Sequence, residues 1–431
     1  MIGSQARSAW LNTALKLGST GLSFLLFLVL ARTMAPEEFA RVALALVWVA
    51  LGSSVVGMSM PAVLVRFLPA QWARGHVAQA NGLVIFALVA TALLATLVAL
   101  SLLGFVWAGL PGLATGQRHY YQATILLLLP SVLLLVLTGL LQGLNRVLAA
   151  EVLANLLRSV LMLALLAGLW WTHRSNLSAS WVLAAYLVAN GVALVACAAY
   201  AWRVLPPAIR TATPAFEIRA WSQAALGFCG VMVAAAVNER LDLVLMGFMA
   251  TKPEVAVYAV ATRFLQPVLV AVTAATAVLI PGLLEKLASG TDSVGVQQML
   301  RGCARTMLSV AVLALLGLWL VAPWFLSLFG PHYEPALRPL LILVCGQVVA
   351  AFFGPAVAVA AFTGRPHVAV LSLCVGIVVN GALNLVLVPQ LGASGAALAT
   401  AVATVATALF AWHWLKRATR LDASVIARVP A

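Results

Sequence analysis

The stretch WSQAALGFCGVMVAAAVNERLDLVLMGFMA, residues 221–250, decides how this chain is read. It is apolar and long enough to cross a bilayer, for which about 20 residues suffice. Yet Asn238-Glu239-Arg240-Leu241-Asp242 stands inside it. One ionised side chain at a bilayer centre costs roughly 2.5–3.5 kcal/mol. Such groups are kept where they face a water-filled path or a partner. At about 100° per residue, Asn238 and Asp242 share a helix face and Glu239 lies within about 60–100° of them. Arg240 points at least about 100° away from all three. The expected arrangement is a polar wall of Asn238, Glu239 and Asp242 lining a transport cavity. A structural ion pair, for example with Arg263 on the next apolar run, is the other reading.

The rest of the chain is of the same kind. Its 431 residues are 64% apolar and only 8% charged, with a mean hydropathy of +1.08. A soluble globular protein carries about 25% charged residues. An all-α polytopic membrane protein is therefore expected. The formal net charge is +14, which in a soluble protein would suggest nucleic acid. Here the charges sit mostly in short connections between apolar runs, so no nucleic-acid partner is expected. The five cysteines lie in apolar runs without a CxxC pair, and the six histidines have no metal spacing. There is no Walker motif and no Ser/His/Asp arrangement. Neither an enzyme, a metal nor a resident cofactor is expected.

Twelve runs can span, near residues 11–34, 41–65, 82–109, 121–144, 147–171, 180–202, 221–250, 255–284, 305–329, 337–362, 368–388 and 394–414. They must be helices, because no open edge can face lipid and the short alternating segments of a barrel are absent. The first run reads as an uncleaved span, not a signal peptide. With the N-terminus inside, sixteen basic residues fall on the cytoplasmic side, six outside and three within spans. Both termini are then cytoplasmic. The expected organisation is a six-helix bundle over 1–205, a cytoplasmic linker over 206–220, a second bundle over 221–415 and a tail over 416–431. The linker carries Pro206, Pro207 and Pro214.

The halves look duplicated. Met34-Ala35-Pro36-Glu37-Glu38-Phe39-Ala40 joins the first two spans, and Met249-Ala250-Thr251-Lys252-Pro253-Glu254-Val255-Ala256 joins the seventh and eighth. One inserted residue aligns Glu38 with Glu254. Six spans per half keep the orientation, so the repeat axis runs along the membrane normal, and two bundles facing a central cavity suggest alternating access.

These residues also resemble a known family. Leu30-Ala31-Arg32-Thr33-Met34-Ala35-Pro36-Glu37-Glu38-Phe39 is similar to the "L-A-R-x-L-x-P-E-E-Y" junction of the polysaccharide (O-antigen type) flippases. Those belong to the multidrug/oligosaccharidyl-lipid/polysaccharide (MOP) exporter superfamily. Thr138 to Arg146, Leu241 to Gly247, and Asn380 and Asn384 followed by Val388-Pro389 and Gly392 to Thr400 match in the same order. The family usually has Tyr at Phe39 and Gly at Ala40 and Ala256, changes that touch helix entry. Twelve spans argue against the fourteen-span peptidoglycan-precursor branch. The resemblance implies a MATE-like fold of two pseudo-symmetric bundles in a bacterial cytoplasmic membrane. The implied substrate is an undecaprenyl-diphosphate-linked oligosaccharide, with membrane lipids and polysaccharide polymerase or assembly proteins as partners.

A diphosphate needs cations. On the first span Asn12, Lys16, Ser19 and Ser23 share one face. Lys16 either meets the diphosphate there or snorkels to the interface. Arg158 lies deep in span five near Asn155, with no obvious acid close in sequence, and Arg263 lies two to three turns into span eight. Arg158, Arg240 and Arg263, with Lys16, Asn12 and Asn238, are the candidate substrate contacts. Glu239 and Asp242 are the candidate groups for coupling to a proton or sodium ion. A drug/cation antiporter of the same superfamily is the alternative. A membrane glycan polymerase or ligase would need a large outside loop, which the sequence lacks.

Overall fold

A computed structural model of the chain describes residues 2–57, 59–108, 118–173, 177–289, 293–362, 366–419 and 421–427. Their regular structure is helical throughout. Ten helices among the described residues are long and apolar enough to cross a membrane. The last of these, α15 (Pro366–Thr419), carries two of the twelve expected runs across a kink at Gly392. The first run lies on α1 (Ile2–Thr33), whose described apolar part is Gly18–Thr33. Large apolar side chains such as Leu93, Leu97, Val195, Leu313 and Leu320 are exposed, as suits a surface solvated by hydrocarbon.

Three runs are not single straight helices. The second is split into α2 (Pro36–Val56) and α3 (Met60–Ala73). Ser59 takes a left-handed conformation and Pro61 stands in the first turn of α3, where its missing N–H costs nothing. The fifth run consists of α6 (Val147–Glu151), a π turn (Val152–Leu156) and α7 (Leu157–His173). The tenth breaks between α13 (Leu337–Phe352) and α14 (Ala356–Phe362), beside Pro355. Between these lie α4 (Val77–Trp107), α5 (Arg118–Gly143), α8 (Ala179–Val204), α9 (Pro207–Thr211), α10 (Ile218–Met249), α11 (Lys252–Ser289) and α12 (Ser293–Phe329).

The chain forms two compact units, Met1–Ala236 and Val237–Ala431, and the division falls inside α10. In the first unit α5 packs against α3, α4 and α8. A Cβ on Gly139 would stand 2.5 Å from Pro61 Cα, and one on Gly143 2.9 Å from the Leu64 carbonyl oxygen. The GxxxG pair is thus where α5 admits the broken second run. The connection over 206–220 is packed, not extended. Ile209 and Trp221 are fully buried, Asn81 Nδ2 donates to the Ala212 carbonyl at 2.8 Å, and Ala215 N donates to Ala78 O at 3.0 Å. In the second unit residues 421–427 fold back beside α15. Val425 N donates to Phe352 O at 3.1 Å, and Asp422 N donates to Gln297 Oε1 at 3.0 Å.

The two glutamates at the corresponding junctions both lie beside the start of the sixth run of their unit, through different contacts. Glu38, in the first turn of α2, accepts the Ala179 N–H at 2.6 Å, capping α8, while its other oxygen pairs with Arg41. Glu254, in the first turn of α11, accepts the Thr251 N–H and hydroxyl, each at 3.1 Å. Its carboxylate also lies against Gly392 (φ 54°, ψ −130°), and any side chain there would collide with it. In each unit the second spanning run is therefore tied to the start of the sixth.

Candidate functional site

Each unit gathers polar side chains around one carboxylate within a spanning run, half-buried in the first unit apart from Ser19 and buried in the second. In the first unit the carboxylate is Glu151, at the end of α6. Ser19, buried on α1, donates its hydroxyl to Glu151 Oε1 at 2.6 Å. Asn155 Nδ2 donates to Glu151 Oε2 at 3.1 Å, and Arg158 Nη2 donates to Asn155 Oδ1 at 3.5 Å. The last distance is at the outer edge of a hydrogen bond, and the acceptor is neutral, so the guanidinium is loosely held by this partner. The backbone between Glu151 and Arg158 is the π turn, closed by Leu157 N–H on the Val152 carbonyl. Such turns are frequent at functional sites. The sequence reading placed Arg158 without a nearby acid. Glu151 stands seven residues earlier, two helical turns away, and the repeat Glu151, Asn155, Arg158 at i, i+4, i+7 was the signal that could have found it.

In the second unit the carboxylate is Asp242 on α10, only 4% exposed. It accepts the hydroxyl of Tyr258 (α11), the hydroxyl of Thr400 (α15) at 3.2 Å and its neighbour's Leu243 N–H at 2.8 Å. The Thr400 oxygen accepts Asn380 Nδ2 at 3.2 Å, and Asn380 Oδ1 accepts Asn384 Nδ2 at 2.6 Å. The chain has a direction: each donor points onward from Asn384 through Asn380 and Thr400, and the last acceptor is Asp242. Tyr258, Asn380 and Asn384 are at most 2% exposed, so these groups depend on one another for satisfaction. Tyr258 was missed in the sequence because it lies one helix away from Asp242, at no helical spacing.

The remaining candidates fall as follows. Asn238 is half-buried, its Oδ1 3.0 Å from where a Cβ on Gly376 would stand. Glu239 is exposed and pairs with Arg240 at 2.9 Å. Asp242 is buried, so Glu239 and Asp242 occupy different environments. Arg263 is half-buried on α11. Asn12 and Lys16 belong to α1, but their side chains lie outside the described residues. Outside the candidate set, Arg66 at the end of the second run stacks over Phe67 and Phe228, its guanidinium carbon 5.6 and 5.8 Å from the ring centroids. Among the described residues no group of three or more His, Cys, Asp or Glu is placed to hold a metal ion.

Residues 6–285 match a family model described as "Polysaccharide biosynthesis protein". No curated protein matches in sequence. Among solved structures, an inward-facing multidrug resistance MATE family transporter of the MOP superfamily superposes with a TM-score of 0.74 at 15% identity, covering 93% of this chain and 96% of its own. The lipid II flippase MurJ, in an inward closed conformation, gives 0.74 at 13% identity, over 94% of this chain and 87% of its own. A MOP superfamily transporter from Pyrococcus furiosus gives 0.62 at 16% identity, over 94% and 92%. At these identities the likeness is one of fold.

Proposed function

The chain belongs to the polysaccharide biosynthesis protein family, and from that membership we propose that it is a flippase for an undecaprenyl-diphosphate-linked oligosaccharide. In this reading it carries an O-antigen, capsule or exopolysaccharide repeat unit across the bacterial cytoplasmic membrane by alternating access. In the same reading both termini face the cytoplasm, which the excess of basic residues in the connections on that side supports, and polysaccharide assembly proteins take up the product. The observation that carries the reading is Arg158. It is a half-buried guanidinium inside a spanning run, and a neutral amide holds it at 3.5 Å. Its nearest acid, Glu151, reaches it through Asn155 and not by a direct ion pair, and a diphosphate offers paired oxygens to its fork of donors. A lipid II flippase among the structures of this fold supports the same direction.

The test is transport in proteoliposomes. A labelled undecaprenyl-diphosphate oligosaccharide is added in one leaflet, and its appearance in the other is followed with an impermeant reagent. Wild type is expected to move it and Arg158→Ala to lose most of that movement. Equal movement by the two would remove Arg158 from the mechanism, and no movement by either would sink the flippase reading.

Coupling is assigned to Asp242, the most buried acid of the opening stretch, with Glu239 held on the surface by Arg240. Asp242→Asn is expected to abolish the response to an imposed proton or sodium gradient, and Glu239→Gln to retain it. The buried Asp242 carboxylate also favours a second reading, an organic-cation antiporter. Gradient-driven export of a fluorescent cation, with no movement of the lipid-linked sugar, would select it.

A further inference from the structure

The flippase reading leaves unexplained why a carboxylate lies beside the cation meant for an anionic substrate. Glu151 is tied to α1 through Ser19 and to its own helix through Asn155. We infer that Glu151 is a positioning residue for Arg158: it fixes which end of the Asn155 amide faces the guanidinium, and so sets where Arg158 presents its charge. This rests on the reading that Arg158 meets the diphosphate.

Donors and acceptors decide the orientation of the Asn155 amide. An ionised carboxylate only accepts, and a guanidinium only donates. Asn155 stands between them with one NH2 and one carbonyl. The NH2 must go to Glu151 and the carbonyl to Arg158, as the two distances of 3.1 and 3.5 Å record. No other orientation satisfies all three side chains. Glu151 is itself anchored, because its second oxygen takes the Ser19 hydroxyl at 2.6 Å. The order Ser19, Glu151, Asn155, Arg158 thus carries a fixed polarity from α1 to the cation.

A direct Glu–Arg pair at this depth would hold the guanidinium by a charge-assisted bond and compete with the substrate. The interposed amide keeps the guanidinium in register while leaving it a neutral, long contact that a diphosphate oxygen can replace. The π turn is a second, independent observation. It lies between Glu151 and Arg158, so the backbone departs from regular α geometry where the relay needs a particular spacing. With Gln at 151 the polarity is no longer enforced from the α1 side. A Gln can donate as well as accept, so only Arg158 then holds the Asn155 carbonyl toward itself, and the amide and guanidinium are less firmly placed.

The probe is farnesyl diphosphate binding to the full-length protein in nanodiscs, with farnesol as the control. Wild type is expected to bind the diphosphate and not the alcohol. Arg158→Ala should lose most binding. Glu151→Gln should weaken binding by about five- to tenfold, the worth of one charge-assisted hydrogen bond replaced by a neutral one. The decisive readout is the double variant. If Glu151 acts through Arg158, Glu151→Gln adds nothing further in the Arg158→Ala background. Additive losses would make Glu151 a general structural group and overturn the inference. So would wild-type affinity in Glu151→Gln while Arg158→Ala is weak, which leaves the flippase reading standing. Wild-type affinity in Arg158→Ala, or no diphosphate binding by wild type, fails the reading of Arg158 itself. Should Glu151→Gln fold poorly, Asn155→Ala interrupts the same relay and is expected to give the same loss and the same non-additivity.

Discussion

Thr400→Val removes one hydroxyl from the middle of the second unit's network and changes little else in shape. Thr400 Oγ1 donates to Asp242 and accepts from Asn380, both at 3.2 Å. The substitution therefore deletes a bond to a charged acceptor, worth about 1.5–3 kcal/mol, and orphans a buried amide, costing about 1–3 kcal/mol. Tyr258 still donates to Asp242, and the new methyl group recovers some apolar contact, so a net loss of about 2–4 kcal/mol is expected. The matched control is Thr404→Val. Its hydroxyl donates only to the Thr400 carbonyl of its own helix, at 2.8 Å, and its loss should stay within about 0.5 kcal/mol. Unfolding of the two variants in detergent, followed by tryptophan fluorescence against denaturant, measures the difference. A second comparison sharpens it: Thr400→Val and Asn380→Ala cut the same link, so their double variant should be less destabilised than the sum. Equal stability of Thr400→Val and Thr404→Val, or strict additivity with Asn380→Ala, would refute the idea that Asp242 is held by a directed chain of donors.

Other expectations follow from single contacts. Gly139→Ala should destabilise by about 1–3 kcal/mol, because its Cβ meets Pro61 backbone, whereas Gly104→Ala, with open space around it, should be neutral or stabilising in the same unfolding assay. Glu38→Gln and Glu254→Gln should each loosen the start of the sixth spanning run in their own unit, read as faster amide exchange at Ala179 and at 393–396 respectively. In the tail, burial alone would raise the Asp422 carboxyl, but donors from Trp412 (2.8 Å), Ser424 (2.7 Å) and Lys416 (2.9 Å) hold it at about 2. A depressed carboxyl stabilises the folded tail above its unfolded value of about 4 and loses that contribution as pH falls toward 2. A fluorophore at 426 should thus report a docked tail from neutral pH down to about 4 and progressive release as pH falls from there toward about 2, and Asp422→Asn should release it at every pH.

Much of this architecture is legible in the sequence because membrane burial is a one-dimensional signal. An apolar run of sufficient length has nowhere else to go, and a helix is the form that satisfies its backbone there. The Pro-Glu-Glu and Lys-Pro-Glu junctions were legible for a similar reason, since helix starts have local chemistry. Helical arithmetic was less complete. It placed Asn238, Glu239 and Asp242 on neighbouring faces and Arg240 apart. It could not say which sector turns inward, and the bundle buries Asp242 while leaving Glu239 exposed beside Arg240. Partners far along the chain were invisible. Asp242 and Thr400 are separated by 158 residues, and Ser19 and Glu151 by 132. Nothing in either local pattern names the other. Glu151 is a different case, because its stripe with Asn155 and Arg158 could have been read. It lies two helical turns from Arg158, beyond the immediate sequence neighbourhood.

The two units share one device and differ in another. Glu38 and Glu254 still join the second spanning run to the sixth in each unit, so that junction serves the bundle itself, whatever the bundle carries. The polar centres run in opposite senses. In the first unit the chain of side chains ends on a donor, Arg158, whose acceptor is distant and neutral. In the second it ends on an acceptor, Asp242, which already receives two hydroxyls and a backbone N–H. A site that ends in a loosely held donor has capacity for an anion. A site that ends in a saturated carboxylate can take a cation only by displacing a donor, and Tyr258 or Thr400 would have to turn away first. Under the proposed function, substrate charge and coupling charge are therefore handled by different units of the chain. Exchanging the two, with a carboxylate in place of Arg158 or a guanidinium in place of Asp242, should abolish transport in either case. Conservative changes should separate them: Arg158→Lys should alter substrate affinity, and Asp242→Asn the response to the imposed gradient. If both variants alter the same parameter, the division between the halves is wrong.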